Sequence, residues 1–204
     1  VVAAAAALAA SASGYQVAVL APTEILAEQH AQSFRSLYAG LPEDARPAVA
    51  LLTGSTPERA RQEIEQGLRD GSIQLLIGTH AILEDWVQFQ RLGLAIIDEQ
   101  HRFGVLQRAT LRAKGDNPDV LVMTATPIPR SLALVLHGDL DVSIIDEMPP
   151  GRQTVQTYAV KSDMRQRVYQ FIRKQVTEGY QAFIIYPLVE ESEAIDARAA
   201  TVEF

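Results

Sequence analysis

Short apolar runs alternate along the chain with longer stretches of helical spacing. Gln16 to Leu20, Ala48 to Thr53, Ile73 to Ile77, Leu94 to Asp98 and Val120 to Met123 are rich in aliphatic residues and bounded by turn formers, which predicts strands. Leu94-Ala95-Ile96-Ile97 shows no polar alternation at all, as in a strand buried on both faces of a helix-covered parallel sheet. Between these runs, an amphipathic helix is predicted from about Glu24 to Tyr38, with Gly40 beyond its end. Gly54-Ser55-Thr56-Pro57 predicts a turn into a helix with Thr56 at N-cap and Pro57 at N1, closing near Gly71. Further helices are predicted from Val105 to Lys114 and from Pro127 to about His137. Val1 to Ala10 has strong helix propensity with Gly14 as its stop, yet no residue stands before Val1 to cap it. The chain is therefore expected to begin inside an element. Strictly alternating strands and helices predict an α/β fold: a parallel sheet with helices on both faces.

One break interrupts this pattern. Pro149-Pro150-Gly151-Arg152 cannot continue a helix or a central strand, so residues 149–153 are expected to link a first domain, 1–148, to a second, 154–204. The second restarts with a strand over Val155 to Val160, a helix over Asp163 to Glu178 and a strand over Ala182 to Tyr186. One βαβ unit of about 50 residues cannot cover both faces of its own sheet, so this domain is expected to be truncated at its C-terminal end.

Composition narrows the function classes. At 204 residues, 48% hydrophobic and 21% charged, the chain is of ordinary globular type. It has no cysteine, which excludes disulfides and thiolate chemistry. The alanine-rich start is roughly half a membrane span and has no basic leader, so no membrane is expected and the reading is cytoplasmic. A net charge of −7 argues against whole-surface attraction to nucleic acid. It leaves room for a groove that meets phosphates with hydroxyls and backbone N–H groups. Of the 18 cationic side chains only Lys114, Lys161 and Lys174 are lysines.

The apolar run at Leu94 stops on two acids, Asp98 and Glu99. Acids at the end of a buried strand must meet a cation, a donor or water, and in open α/β sheets that place is the crevice at the strands' carboxyl ends. Nucleotide triphosphatases hold magnesium with such an Asp and orient the attacking water with such a Glu. A solvated turn would read the same way from this stretch alone. Four further loops follow strand ends and carry small hydroxyl residues: Pro22-Thr23, Gly54-Ser55, Gly78-Thr79 and Thr124-Ala125-Thr126. Each alone is an ordinary turn; together, at the edge that holds the acids, they point to anion binding. His30, His80, His101 and His137 match no zinc spacing, though Asp98, Glu99 and His101 could form a metal-hydrolase site. Tyr169, Phe171 and Ile172 read as core, and Arg165, Arg167, Arg173 and Lys174 as a solvated face; Arg102 and Arg130, each just after a motif, could meet DNA or the second domain.

Taken in order, Ala-Pro-Thr-Glu-Ile-Leu-Ala-Glu-Gln-His (21–30), Leu-Leu-Thr-Gly-Ser (51–55), Gly-Thr-His-Ala (78–81), Asp-Glu-Gln-His-Arg-Phe-Gly-Val (98–105) and Met-Thr-Ala-Thr-Pro-Ile-Pro-Arg (123–130) resemble the motor of superfamily 2 helicases. More narrowly they resemble the bacterial ATP-dependent helicases that remodel branched DNA. Gly138-Asp139-Leu140-Asp141-Val142, the Pro-Pro-Gly-Arg linker and Ile185 to Glu193 carry the likeness through nearly the whole chain. The resemblance implies a RecA-like first lobe followed by the start of a second RecA-like lobe. It implies ATP and Mg2+, with Asp98 holding magnesium through water and Glu99 orienting or deprotonating the attacking water. Gln100 and His101, with Thr124 and Thr126, would couple nucleotide state to DNA; Thr23, Ser55 and Thr79 would contact phosphates of one strand. It further implies forked or branched DNA as partner, a monomer, and a bacterial cytoplasmic setting at the nucleoid.

Two parts of such a motor are missing from the sequence. G-x-x-x-x-G-K-[ST], whose lysine meets the β and γ phosphates, does not occur, and the first lysine is Lys114. The late arginine motif is expected beyond Phe204. The chain alone is thus expected to hydrolyse no ATP. Transcription-repair coupling translocases share Thr-Ala-Thr-Pro-Ile-Pro-Arg but differ in the acidic box and linker, and a non-catalytic phosphate-binding module of the same fold is the alternative from another class.

Overall fold

The computed structural model describes residues 1–99, 105–125, 141–147, 151–152 and 154–185. The chain divides into two compact units, Val1–Val142 and Ser143–Phe204, so the boundary falls a few residues ahead of the expected linker.

In the first unit the order is α1 (Val2–Ala12), β1 (Gln16–Leu20), α2 (Glu24–Tyr38), β2 (Val49–Leu52), α3 (Glu58–Asp70), β3 (Leu75–Gly78), β4 (Leu92–Asp98), α4 (Val105–Arg112) and β5 (Asp119–Met123). The five strands form one parallel sheet in the order β2-β3-β1-β4-β5. β1, at its centre, is buried along its whole length, which is why Val17 to Leu20 carries no alternation. Alternate strand residues serve opposite faces. Val17, Val19, Leu75, Ile77, Leu94 and Ile96 meet α1 and α2 through Ala3, Ala7, Ala27, Ala31 and Phe34. Ala18, Leu20, Leu76, Ala95 and Ile97 meet Ile64 and Leu68 of α3, Leu111 of α4 and Ile82 of a 3-10 turn, His80–Leu83. This is the RecA-like α/β sheet expected, covered on both faces.

The helix ends follow local chemistry. Thr23 caps α2 by accepting a hydrogen bond from Leu26 N–H, and α3 stops at Gly71, whose φ of +78° only glycine adopts without strain. One cap differs from expectation. Pro57, with an extended ψ of 150°, is itself the N-cap of α3, and Thr56 Oγ1 turns back to accept from Thr53 N–H at 2.9 Å.

In the second unit the described residues form a 3-10 turn, Ser162–Met164, and α5 (Arg165–Thr177). The strands expected at 155–160 and 182–186 are not formed among the described residues, 154–160 and 181–185 having no regular structure. A strand needs a neighbour to pair its backbone, and the described residues of this unit supply none. Val155, Phe183 and Ile185 are correspondingly exposed, and so is Phe171, which the sequence reading assigned to a core. Arg167, Arg173 and Lys174 face solvent as expected, while Arg165 lies over the Tyr169 ring. The helix expected at Pro127 to His137, Arg102, Arg130, and the junction at Met148 to Pro150 lie outside the described residues.

Candidate functional site

Because all five strands run in parallel, their carboxyl ends lie at one edge of the sheet. Thr23, Thr53 to Ser55, Thr79, Asp98 with Glu99, and Thr124 stand at or within three residues of those ends. These described residues therefore share one edge of the sheet.

Asp98 is the last residue of β4, in line with Leu94 and Ile96 on the face covered by α2. Two turns into α2, His30 Nε2 lies 2.7 Å from Asp98 Oδ2, and the other oxygen, Oδ1, accepts from Glu99 N–H at 3.0 Å. The hydrogen bond from His30 chiefly holds the Asp98 carboxyl below the usual carboxylate range, its charge and the Glu99 amide adding to it, against partial burial. Asp98 is thus an anion at neutral pH. Each of its oxygens retains a lone pair beyond these bonds, so the donor set suits a hard cation held through water. Among the described residues no group of three or more His, Asp or Glu converges as a metal cage. Magnesium is ordinarily held by one or two carboxylates with waters and substrate phosphates, and Asp98 fits that mode.

Glu99 follows with φ at +51°, a left-handed conformation unusual for a residue with a β-carbon. Such backbone strain gathers at functional sites, where the surroundings hold it in place. Thr124 is exposed directly after β5. Gln100, His101 and Thr126 lie outside the described residues.

The three residues expected to meet phosphate stand in different states. Thr23 Oγ1 accepts from Leu26 N–H as the α2 cap, which leaves its own proton to donate outward. Ser55 is exposed, but its donors are already used: Ser55 N–H reaches Glu24 Oε1 at 3.2 Å and Ser55 Oγ reaches Glu24 Oε2 at 3.1 Å. Thr79 is only 3% exposed, and its buried hydroxyl has no hydrogen-bond partner among the described residues. Its N–H bonds Leu52 O at 3.2 Å, so the chain here is stitched to β2 and does not present the hydroxyl at the surface. Sequence reasoning missed two members of this edge, His30 and Glu24. Helical phase could have found His30: positions 27, 31 and 34 cover the face of β4 that carries Asp98, and position 30 lies beside them.

With this geometry in place, comparison with known proteins is specific. A family profile described as DEAD/DEAH box helicase matches residues 1–135. The ATP-dependent DNA helicase RecG of Synechocystis sp. is 56% identical over 200 residues, covering 96% of this chain and 23% of the relative. That of Bacillus subtilis is 54% identical over 199 residues, covering 98% of this chain and 29% of the relative. The chain thus spans about a quarter of the length of these curated relatives. A solved structure of RecG bound to a three-way DNA junction superposes with a TM-score of 0.67 at 49% identity, over 86% of this chain and 23% of that one.

Proposed function

The chain belongs to the DEAD/DEAH box helicase family, and on that footing we propose that it forms the first motor lobe, with the opening of the second, of an ATP-dependent helicase that remodels branched DNA. The observation that carries this reading is the Asp98–Glu99 pair at the sheet edge, with Asp98 held ionised by His30. A module that only binds phosphates has no use for an ionised carboxylate followed by a strained glutamate. The relatives' names give the substrate class: RecG acts as a DNA helicase, and one RecG was solved on a three-way junction.

In this reading Asp98 holds the magnesium ion of MgATP through water, and Glu99 orients or deprotonates the water that attacks the terminal phosphate. Bound magnesium supplies charge neutralisation on the phosphates. Gln100, His101, Thr124 and Thr126 carry the nucleotide state to the DNA side. Thr23 and Ser55 position the motor on phosphates of one strand without reading bases. Thr79 contributes only if its loop opens, since its hydroxyl is buried. The protein works as a monomer in the bacterial cytoplasm, at branched DNA. The sequence holds no G-x-x-x-x-G-K-[ST] loop, and the 204 residues alone turn over no ATP.

The test uses the full-length protein that carries this chain. Glu99→Gln is expected to abolish DNA-stimulated ATP hydrolysis while three-way-junction binding persists. Unchanged hydrolysis in that variant overturns the motor reading and leaves the phosphate-binding module.

A further inference from the structure

The Gly54-Ser55 loop holds its hydrogen atoms in one ordered chain. A hydroxyl and a backbone amide each carry a single proton to donate. Ser55 gives both of its protons to the Glu24 carboxylate: the amide at 3.2 Å to Oε1 and the hydroxyl at 3.1 Å to Oε2. With that proton committed, the 2.9 Å contact between Thr53 and Ser55 hydroxyls runs from Thr53 to Ser55. The line Thr53, Ser55, Glu24 therefore ends on an anion. The loop is braced behind it, since Arg61 donates to Gly54 O at 3.1 Å and Thr56 O at 3.0 Å. A phosphodiester offers only acceptors and needs donors. As the loop stands, Ser55 has none left to give.

We propose that Glu24 is an internal phosphate substitute: it occupies the Ser55 donors in the free protein, and DNA binds this loop by exchanging the carboxylate for a phosphate. The proposal rests on the reading of Ser55 as a phosphate contact. Two consequences follow from the geometry. The loop keeps a bound-like arrangement without DNA, because an anion already bridges the amide and hydroxyl. DNA binding is also weakened, because each encounter must break two charge-assisted hydrogen bonds and move a like charge aside. Glu24 directly follows Thr23, the cap of α2 and the neighbouring expected phosphate contact. Glu24 thus sets affinity rather than contributing to it.

The experiment measures binding of a fluorescein-labelled three-way DNA junction to the full-length protein, without nucleotide, over a range of salt. Variants are Glu24→Ala, Glu24→Gln, Ser55→Ala and Glu24→Ala with Ser55→Ala, each checked by thermal melting. Both Glu24 variants are expected to bind about two- to fivefold more tightly, the scale of an exposed ionic contact. Their salt dependence is expected to steepen by up to about one unit of log K against log salt. Ser55→Ala is expected to weaken binding, and the gain from Glu24→Ala is expected to shrink in its presence. If Ser55→Ala weakens binding while the Glu24 variants leave it unchanged or weaker, the exchange is wrong and Glu24 merely positions the loop. If neither residue alters binding, the phosphate reading of Ser55 falls and takes the exchange with it. A full gain from Glu24→Ala in the Ser55→Ala background also overturns the exchange, leaving only general charge removal.

Discussion

Gly78→Ala is the sharpest test of the packing at the functional edge. Gly78 ends β3 between Leu20 of β1 and Leu52 of β2, and a β-carbon built on it would lie 1.9 Å from the Leu52 carbonyl oxygen. Ordinary contact begins at 3.4 Å, so about 3.4 − 1.9 = 1.5 Å must be recovered by moving backbone against backbone. Both strands are pinned: Thr79 N–H bonds Leu52 O at 3.2 Å, and Ala21 N–H bonds Gly78 O at 2.8 Å. A shift of that size takes the first of these beyond hydrogen-bonding range, at a loss of about 1 kcal/mol. Overpacking in a rigid neighbourhood adds about 1–3 kcal/mol. The expected destabilisation is about 2–4 kcal/mol, a large part of the roughly 5–15 kcal/mol that holds a domain folded. Urea unfolding followed by Trp86 fluorescence reads this directly, since Trp86 is the single tryptophan and packs against the first unit's core. Gly40→Ala is the control, with nothing within 4 Å of its added carbon, and is expected to shift stability by less than about 0.5 kcal/mol. Equal midpoints for the two variants would refute the packing argument.

Two further outcomes test the fold around the site. Gln16 is buried and donates to Leu68 O at 2.9 Å and Ile73 O at 2.7 Å while accepting from Arg91 N–H at 2.9 Å. Gln16→Leu removes the side-chain partners of Ile73 O and Arg91 N–H, while Leu68 O keeps Gln90 N–H at 3.0 Å, and is expected to cost about 2–3 kcal/mol in urea unfolding; a loss below about 1 kcal/mol would show that water replaces the amide. Tyr38 donates to Ala4 O at 2.8 Å, and burial pushes its phenol up to about 12. Its folded value lies above the unfolded one near 10, so the fold is unpenalised below pH 10 and loses stability as pH rises from about 10 to 12. After discount for screening the loss is about 1–2 kcal/mol, and Tyr38→Phe is expected to remove that part of the alkaline slope; a slope identical in both proteins would contradict it.

The sheet was legible because its central strands are buried on both faces: Val17 to Leu20 and Leu94 to Ile97 have no polar position to obscure the period. Boundaries drifted by one or two residues where caps were ambiguous, as at Pro57, whose missing N–H suits both N-cap and N1. The Gly78-Thr79 loop shows that one motif position can have a packing reason of its own. Read as residue types, a glycine and a threonine after a strand suggest a phosphate cradle. In the structure the glycine is demanded by the Leu52 carbonyl, so packing accounts for it, while the threonine hydroxyl is buried without a partner among the described residues. The second unit was illegible for another reason: apolar runs at 155–160 and 182–185 have strand composition, but pairing is a property of neighbours and no window of sequence contains it.

Two contacts at the sheet edge that escaped the sequence both cross from α2 to another element, Glu24 to Ser55 and His30 to Asp98. The first turn of α2 carries Glu24 against Ser55, and His30 meets Asp98. His30 lies seven residue steps beyond Thr23, a span of about 10 Å at 1.5 Å per residue. Ala27, Ala31 and Phe34 pack the same helix onto the sheet, so it cannot tilt at one end without moving the other. Exchange of Glu24 for a phosphate at one end would thus be felt as a change in how His30 holds Asp98 at the other. In the proposed reading, this one packed helix meets the Ser55 loop through Glu24 in its first turn and Asp98 through His30 at its middle, which gives the two places a shared support.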